Sequence, residues 1–223
     1  MKSNMADVDS LRQTENSAQA ENPLQRFVRK TRDLFAKETD LERRWSALRP
    51  ILSEMLADPA VVEASKHWPD CAPSDGRAEN LLFYEDPEFK FAINGLTKGT
   101  DFVGAQRIHH HAHIYTLYGV LDGQERIERY ERLDDGSKPG YAKIRRTTDQ
   151  LVGPGEIDLV KPYEAHTEVT LGERTVAVIV RSEKAGGFNQ GRFIPDENRY
   201  YESLGPRQIP CEMLPPQRPQ GEG

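Results

Sequence analysis

From about residue 80 onwards the chain consists of short β-prone runs separated by turn signals, and this pattern constrains the fold more than any other feature. The runs are LLFYED, FKFAING, HIYTLYGVLDG, QERIERYERL, AKIRRTTDQ, EIDLVKP and RTVAVIVRS. The predicted turns are Asn94-Gly95, Asp122-Gly123, Asp135-Gly136, Pro154-Gly155 and Gly172. Closely spaced strands with such punctuation are typical of an all-β sandwich or barrel.

Two or three helices are predicted ahead of the strands. Apolar residues recur at helical spacing from Leu24 to Leu34 and from Leu41 to Leu56, and Asp58-Pro59 opens a short third helix. The two ends of the chain are polar or proline-rich. We therefore divide the chain into a disordered segment (1–22), a helical region packed on the barrel (23–79), the barrel (80–204) and an extended C-terminal tail (205–223).

The charge and composition of the chain limit the kinds of partner that we expect it to bind. A net charge of -6 and a pI of about 5.6 argue against nucleic acid, since phosphate binding needs a basic face. No apolar run approaches the roughly 20 residues that span a bilayer, and no secretory signal is recognised, so the expected location is the cytoplasm. The two long terminal segments lead us to expect a homodimer. Cys71 and Cys211 form no disulfide framework or CxxC zinc motif.

Four of the six histidines lie within five residues: His109, His110, His111 and His113. Side chains alternate along a strand, so His109 and His111 are predicted to project together into the barrel while His110 points away. His166, in KPYEAHTEVTLG, would complete a set of three from a distant strand. His111 and His113 have the same spacing and form a competing pair. Three neutral imidazoles suit Fe(II), Zn, Cu or Ni and leave positions open for a substrate or oxygen.

These residues resemble the two motifs of the cupin superfamily, whose fold is a double-stranded β-helix, or jelly-roll barrel. The first motif is H-x-H, three or four residues, Glu, six residues and Gly, and it is similar to His109-x-His111, Thr116 and Gly123. The second is a Pro-Gly turn before an isolated His, and it resembles Gly153-Pro154-Gly155 through His166. The resemblance covers roughly residues 80–185 and implies a mainly β cupin barrel, preceded here by α-helices.

Thr116 stands where most cupins have a Glu ligand, and this replacement resembles the thiol dioxygenase branch of the superfamily. The resemblance implies a cysteine dioxygenase-like, non-haem Fe(II) enzyme that binds a small substrate and O2 at adjacent metal positions. The Ser-His-Tyr relay of cysteine dioxygenases is replaced by Ala177, Ile179 and Arg181. The substrate therefore stays open among thiols, organic acids and dicarbonyls.

Two other functions stay open on the same fold. One is a metal-dependent lyase, hydrolase or isomerase that uses the ion as a Lewis acid. The other is a binding or sensing cupin without turnover.

Arg181 and Arg107 are the candidates for anchoring an anionic group of the substrate. Arg181 shares a strand face with Ala177 and Ile179, and Arg107 precedes the first ligand by two residues. A guanidinium group can clamp a carboxylate through two parallel hydrogen bonds. Tyr115 and Tyr118 are candidate donors to a bound oxygen species.

Two glutamates flank the third histidine. Glu164 and Glu168 lie two residues before and two residues after His166, so both are expected to share its face. Either could orient the imidazole, or one could itself be a ligand.

Overall fold

The computed structural model describes residues 21–71, 77–99 and 107–215 of the chain. Within these ranges three helices come first: α1 (Pro23–Lys37), α2 (Leu41–Leu56) and α3 (Pro59–Ser65). Each begins at a side chain that accepts a hydrogen bond from a backbone N–H of the first turn: Asn22, Asp40 and Asp58. The predicted disordered segment (1–22) lies almost entirely outside the described residues.

Nine strands follow the helices in the described part of the chain. They are β1 (Glu79–Glu85), β2 (Ala92–Gly99), β3 (Thr116–Arg132), β4 (Ile144–Val152), β5 (Ile157–Val160), β6 (Ala165–Arg181), β7 (Asn189–Ile194), β8 (Arg199–Leu204) and β9 (Arg207–Pro210). A single 3₁₀ turn, Pro195–Glu197, links β7 to β8.

The two longest strands, β3 and β6, organise the barrel. Each has 17 residues, and they pair antiparallel over nearly their whole length. The first half of β3 and the second half of β6 form one sheet with β5 on one side and β2, β1 and β9 on the other. Their other halves pair with β4 and, through a bridge at His109, with the β7–β8 ribbon. The prediction of a mainly β fold with N-terminal helices is confirmed, and this two-sheet arrangement fits a cupin jelly roll.

Three of the predicted turns lie inside strands. Asp122-Gly123 and Gly172 do not end a strand, because β3 and β6 run through them. The pairing register shifts on both sides of Asp122, and Gly123 has a φ of +80°, so this position is a bend where the strands pass from one sheet to the other. Asn94-Gly95 lies within β2, where a Cβ on Gly95 would come within 2.4 Å of Phe83 Cζ. That glycine therefore serves close packing and not a turn.

The outer face of the first sheet packs on the helices. A Cβ on Gly119 of β3 would lie 2.6 Å from Leu56 Cδ1, so odd-numbered residues of this half-strand face α2. Trp45, Leu48 and Leu52 of α2 are buried in this layer. Even-numbered residues of the same half-strand, such as Tyr118, point into the barrel, where several charged side chains are also buried.

The C-terminal region lies along the edge of the first sheet. Strand β9 pairs parallel with β1, and the indole Nε1–H of Trp68 donates to the carbonyl of Met213 at 3.0 Å. Residues 216–223 of the predicted tail lie outside the described residues. Cys71 and Cys211 are free thiols. None of the helices in the described ranges is both long and apolar enough to cross a membrane.

Candidate metal centre

A two-residue backbone bridge brings the first and third histidines together. The N–H of His109 donates to the carbonyl of His166 at 3.0 Å, and the N–H of His166 donates back at 2.9 Å. Directly opposite residues in an antiparallel pair present their side chains on the same face. The bridge therefore places two imidazoles side by side on the wall of the barrel.

The segment that carries His109, His110 and His111 is not the continuous strand that the sequence predicts. Only His109 pairs as strand, a turn follows, and β3 begins at Thr116. Ala112 has a φ of +56°, and its N–H donates to His110 Nδ1 at 3.0 Å. His110 points away from the cluster, as predicted, towards Phe193 and Tyr200.

The side chains of His109, His111 and His166 converge on one point. All three are buried, and one ring nitrogen from each lies within 4.8 Å of the others. The Nε2 atoms of His109 and His111 are 3.1 Å apart. Two nitrogens that each lie about 2.1 Å from a single ion are separated by about 3.0–3.4 Å in octahedral or tetrahedral geometry. The spacing therefore suits ligation of one metal ion.

The other nitrogen of each ring is held by a hydrogen bond. Nδ1–H of His109 donates to the Arg107 carbonyl and Nδ1–H of His166 to the Glu164 carbonyl, both at 2.9 Å. His111 Nδ1 lies 3.0 Å from the Thr116 hydroxyl oxygen. A carbonyl only accepts, so the bonds of His109 and His166 put the proton on Nδ1 and leave the Nε2 lone pair free. When His111 ligates through Nε2, its Nδ1–H donates to the Thr116 hydroxyl. Lone pairs that face each other at this distance are stabilised by a cation between them.

The protonation state of the rings also suits a metal. Burial, together with the neighbouring His166, holds the pKa of His109 and of His111 well below the ordinary value. Neutral imidazole is the form that ligates. His166 Nε2 is buried and has no hydrogen-bond partner among the described residues. The donor set therefore fits a first-row divalent ion such as Fe(II), Zn, Ni or Cu.

A cavity of about 50 Å³ adjoins His109 and His111. Arg181 lies on its wall, 4% exposed, and donates to Asn94 Oδ1 at 3.0 Å. Burial lowers the pKa of Arg181 to about 10, so the guanidinium stays charged at neutral pH. Its Nε is buried without a partner among the residues described. The sequence-predicted Arg181 is thus within the cavity and has hydrogen-bonding capacity to spare.

Glu168 brings a carboxylate to the same cavity. Its Oε1 lies 3.6 Å from His166 Nε2. Burial by itself would raise the pKa of Glu168, but the close approach of His166 and the positive charge of Lys98 outweigh burial and lower the pKa below its ordinary value. The cavity therefore contains an ionised acid beside the histidines.

A second set of charged residues lies deeper in the barrel. Lys98 Nζ is 2.8 Å from Glu125 Oε1 and donates to the Glu168 carbonyl at 3.1 Å. The Tyr118 hydroxyl donates to Glu125 Oε1 at 2.8 Å. Lys98 and Glu125 are almost completely buried, so the pair is screened very little by solvent. It ties the strand that carries His166 to β2 and β3.

Four sequence-predicted candidates lie away from the cavity or are already engaged. Arg107 contributes its carbonyl, but its side chain is exposed. Tyr115 faces the helices and stacks on Trp45, because the alternation of β3 turns it away from the barrel interior. Tyr118 points inward, but its hydroxyl is bonded to Glu125. His113, the competing ligand, is half exposed and pairs with Glu183.

Thr116 and Glu164 each hold one of the histidines in place. Thr116 supports His111 through its hydroxyl. Glu164 supports His166 through its carbonyl, while its carboxylate accepts from Arg129 Nε at 2.9 Å.

Sequence reasoning missed three polar residues of the cavity wall: Asn80, Gln190 and Arg192. The segment GGFNQGRF (186–193) is not among the predicted β-prone runs, although its second half belongs to β7. The alternation in NQGRFI places Gln190 and Arg192 on one face and was the available signal. The three glycines of the segment are typical of turns, and they made this strand pattern hard to recognise. Asn80 directly precedes the first predicted run, LLFYED, and nothing in the sequence around it indicates a binding role.

Comparison with known proteins gives partial likenesses. No protein-family model matches the chain. No curated protein matches it either. Among solved structures, an oxalate oxidase in complex with the substrate analogue glycolate matches at 17% identity and a TM-score of 0.39, over 53% of this chain and 56% of that one.

Two further matches come from a yeast and a bacterium. The Cnp3 cupin domain of Schizosaccharomyces pombe matches at 8% identity and a TM-score of 0.34, over 47% of this chain and 64% of that one. BH2720 of Bacillus halodurans matches at 11% identity and a TM-score of 0.39, over 56% and 80%. The chain thus spans less than two thirds of the oxalate oxidase and of the Cnp3 domain. At TM-scores below 0.5, the roles of individual residues follow only from this chain's own geometry.

Proposed function

We propose that the protein is a metal-dependent oxygenase of a small carboxylate-bearing substrate, with His109, His111 and His166 as the metal ligands. The observation that carries the proposal is the convergence of three buried Nε2 atoms, each imidazole being held through its Nδ1. Such a set is typical of a pre-organised metal site. Arg181 in the adjoining cavity supports an anionic substrate.

Fe(II) is our choice among the metals that the site suits. A three-imidazole site leaves several coordination positions open, and a ferrous ion in it supplies the redox chemistry by which O2 reacts with an organic substrate. The choice of iron and of a dioxygenase reaction is supported by the resemblance of the H-x-H and Thr116 pattern to the thiol dioxygenases. The substrate remains a small thiol, organic acid or dicarbonyl.

The protein's own residues position the substrate. Arg181 binds its carboxylate, because a buried guanidinium with unsatisfied donors gains most from an ionised partner. The small volume of the cavity, about 50 Å³, favours a small substrate. The Glu168 carboxylate, beside His166, is placed to accept a proton from a substrate held there.

Glu168 also supports a second candidate function. Its carboxylate lies beside His166 and is placed to act as a general base on a substrate held at the metal, in a Lewis-acid lyase or isomerase reaction that would not consume O2. Oxygen consumption separates the two candidates.

The first test is elemental analysis of protein purified without added metal, beside His166→Ala and the matched control His113→Ala. His113 belongs to the same histidine cluster but lies at the surface. We expect about one iron per chain in the wild type and in His113→Ala, and none in His166→Ala. An oxygen electrode with a panel of small carboxylic acids and thiols follows.

The possible outcomes distinguish the oxygenase from the Lewis-acid enzyme and also test the metal site itself. Metal-dependent O2 uptake that requires Arg181 supports the oxygenase. Bound zinc or nickel without O2 uptake supports the Lewis-acid function. Equal metal content in wild type and His166→Ala contradicts the ligand assignment, and no metal after anaerobic loading with Fe(II) contradicts the metal site itself.

A further inference from the structure

The polar groups of the cavity wall differ in what they can still bind. Buried atoms without a hydrogen-bond partner among the described residues include Arg181 Nε, Gln190 Nε2 and Asn80 Oδ1. All three residues line the cavity next to His109 and His111. A buried polar atom without a partner is costly, and clusters of such atoms are rare in folded proteins. These three belong to residues of one cavity wall, where a small ligand is placed to complete them.

The orientation of both amides follows from their other hydrogen bonds. Asn80 Nδ2 donates to the Glu79 carbonyl at 2.9 Å, so its Oδ1 is the atom that remains free. Gln190 Oε1 accepts from Arg192 Nη2 at 3.3 Å, so its Nε2 remains free. Exchanging N and O in either amide would oppose two donors or two acceptors. The cavity therefore offers donors from Arg181 and Gln190 and an acceptor from Asn80.

These donors and this acceptor suit a ligand that accepts hydrogen bonds at one end and donates a hydrogen bond at the other. A carboxylate, which only accepts, satisfies Arg181 and Gln190. Asn80 Oδ1 needs a donor on the same small molecule, either a hydroxyl or an ammonium group. Charge decides between them, because Arg181 and Arg192 already place two guanidinium groups on the wall against the single carboxylate of Glu168. A third cation is disfavoured in such a buried space.

We propose that the cavity selects a small hydroxycarboxylate, with its carboxylate on Arg181 and Gln190 and its hydroxyl donating to Asn80 Oδ1. This substrate class rests on the proposed function only in being held beside the metal ligands, since none of the three recognising residues is a ligand. The binding preference therefore exists whether or not a metal is bound.

Three probes that differ in one group test the proposal: lactate, propionate and alanine. Dissociation constants are measured by calorimetry for the protein as purified and after removal of metal with a chelator. We expect lactate to bind at least ten-fold more tightly than propionate, about 1.4 kcal/mol, because propionate leaves Asn80 Oδ1 unsatisfied. Alanine is expected to bind more weakly than lactate, because it adds an ammonium beside the two arginines.

Two variants assign the preference to Asn80. In Asn80→Leu the lactate-to-propionate ratio is expected to fall to about one, with propionate binding unchanged or improved. In the matched control Gln190→Met both acids are expected to weaken together with the ratio preserved, because this residue contacts the carboxylate that they share. Asn80→Ala provides a second test if the leucine variant does not fold.

Each outcome supports or contradicts the proposal. Equal affinities for lactate and propionate in the wild type, or a preference that survives in Asn80→Leu, would overturn it. Tighter binding of alanine would show that Glu168 recognises an ammonium and would also overturn it. A lactate preference in a protein that never binds metal would support this inference and refute the proposed function, so the two can fail separately.

Discussion

Replacing Thr116 with valine removes the hydrogen bond that holds His111, the second of the proposed metal ligands. Thr116 is fully buried, and its hydroxyl oxygen lies 3.0 Å from His111 Nδ1. Valine has nearly the same shape, so the substitution removes the acceptor while leaving the packing almost intact. The buried Nδ1–H of His111 is then left without a partner.

The magnitude follows from that loss. An unsatisfied buried donor costs about 1–3 kcal/mol. His111 can avoid the cost only by moving its proton to Nε2 or by rotating, and either change takes the lone pair away from the shared metal position. At about 1.4 kcal/mol per ten-fold change, the dissociation constant of the metal should rise roughly 10- to 100-fold. This range agrees with the usual effect of removing a hydrogen bond to a ligating histidine.

The assay is competition for Zn²⁺ or anaerobic Fe(II) between the protein and a chromophoric chelator. The matched control is Thr97→Val in β2. Thr97 is equally buried, but its hydroxyl has no hydrogen-bond partner within the described part of the chain. We expect Thr97→Val to keep wild-type metal affinity, while thermal unfolding of the metal-free proteins verifies that both variants are folded.

Two results would refute this reasoning. Wild-type metal affinity in Thr116→Val would show that the hydroxyl does not hold His111. An equal loss of affinity in Thr97→Val would show that any threonine-to-valine change in the barrel has the same effect, so that the specific contact is not responsible.

Three further predictions concern the fold. Lys98→Met should lower the free energy of unfolding by roughly 3–5 kcal/mol in urea melts, because it leaves the buried Glu125 carboxylate unpaired; replacing both residues with apolar ones should recover most of the loss. Burial lowers the pKa of His110 to about 4, so the unfolded chain takes up a proton that the folded one does not, and stability should fall as the pH drops from about 6.5 to about 4, by up to roughly 3 kcal/mol. A pH series of melts should show less of this loss in His110→Gln, and an identical profile would contradict the assignment. Gly172→Ala should cost about 1–2 kcal/mol for its φ of +83° alone, whereas Gly123→Ala should cost clearly more, because its Cβ would also come within 2.2 Å of a backbone carbonyl; equal melting temperatures would disprove this difference.

Local patterns in the sequence predicted the elements of the fold well where short-range physics decides them. The capping residues Asn22, Asp40 and Asp58 act on backbone groups in the first turn of their own helices. The β-prone runs became strands because alternating apolar residues need one buried face. Turn signals were less dependable. Asn94-Gly95 is not a turn, because a glycine is needed at position 95 to make room for Phe83 on the neighbouring strand.

The sequence predicted the three histidines of the candidate site but only some of the residues that line its cavity. H-x-H spacing and the isolated His166 are visible in the sequence, and all three side chains meet in the structure. Arg181 was predicted from strand alternation and lines the cavity. Tyr115 was misplaced, because whether an odd or an even residue of β3 faces the barrel depends on where α2 packs.

The sequence by itself determined which side chains are available to ligate a metal and that the chain forms a β-rich domain with helices ahead of it. Only the tertiary structure decided which nitrogen of each imidazole faces the shared point, because the anchoring acceptors include two backbone carbonyls whose directions follow from chain pairing. It also decided the polarity of the cavity. The free atoms of Asn80 and Gln190 are set by partners whose positions depend on the fold, and contacts of that kind leave no periodic trace in the sequence.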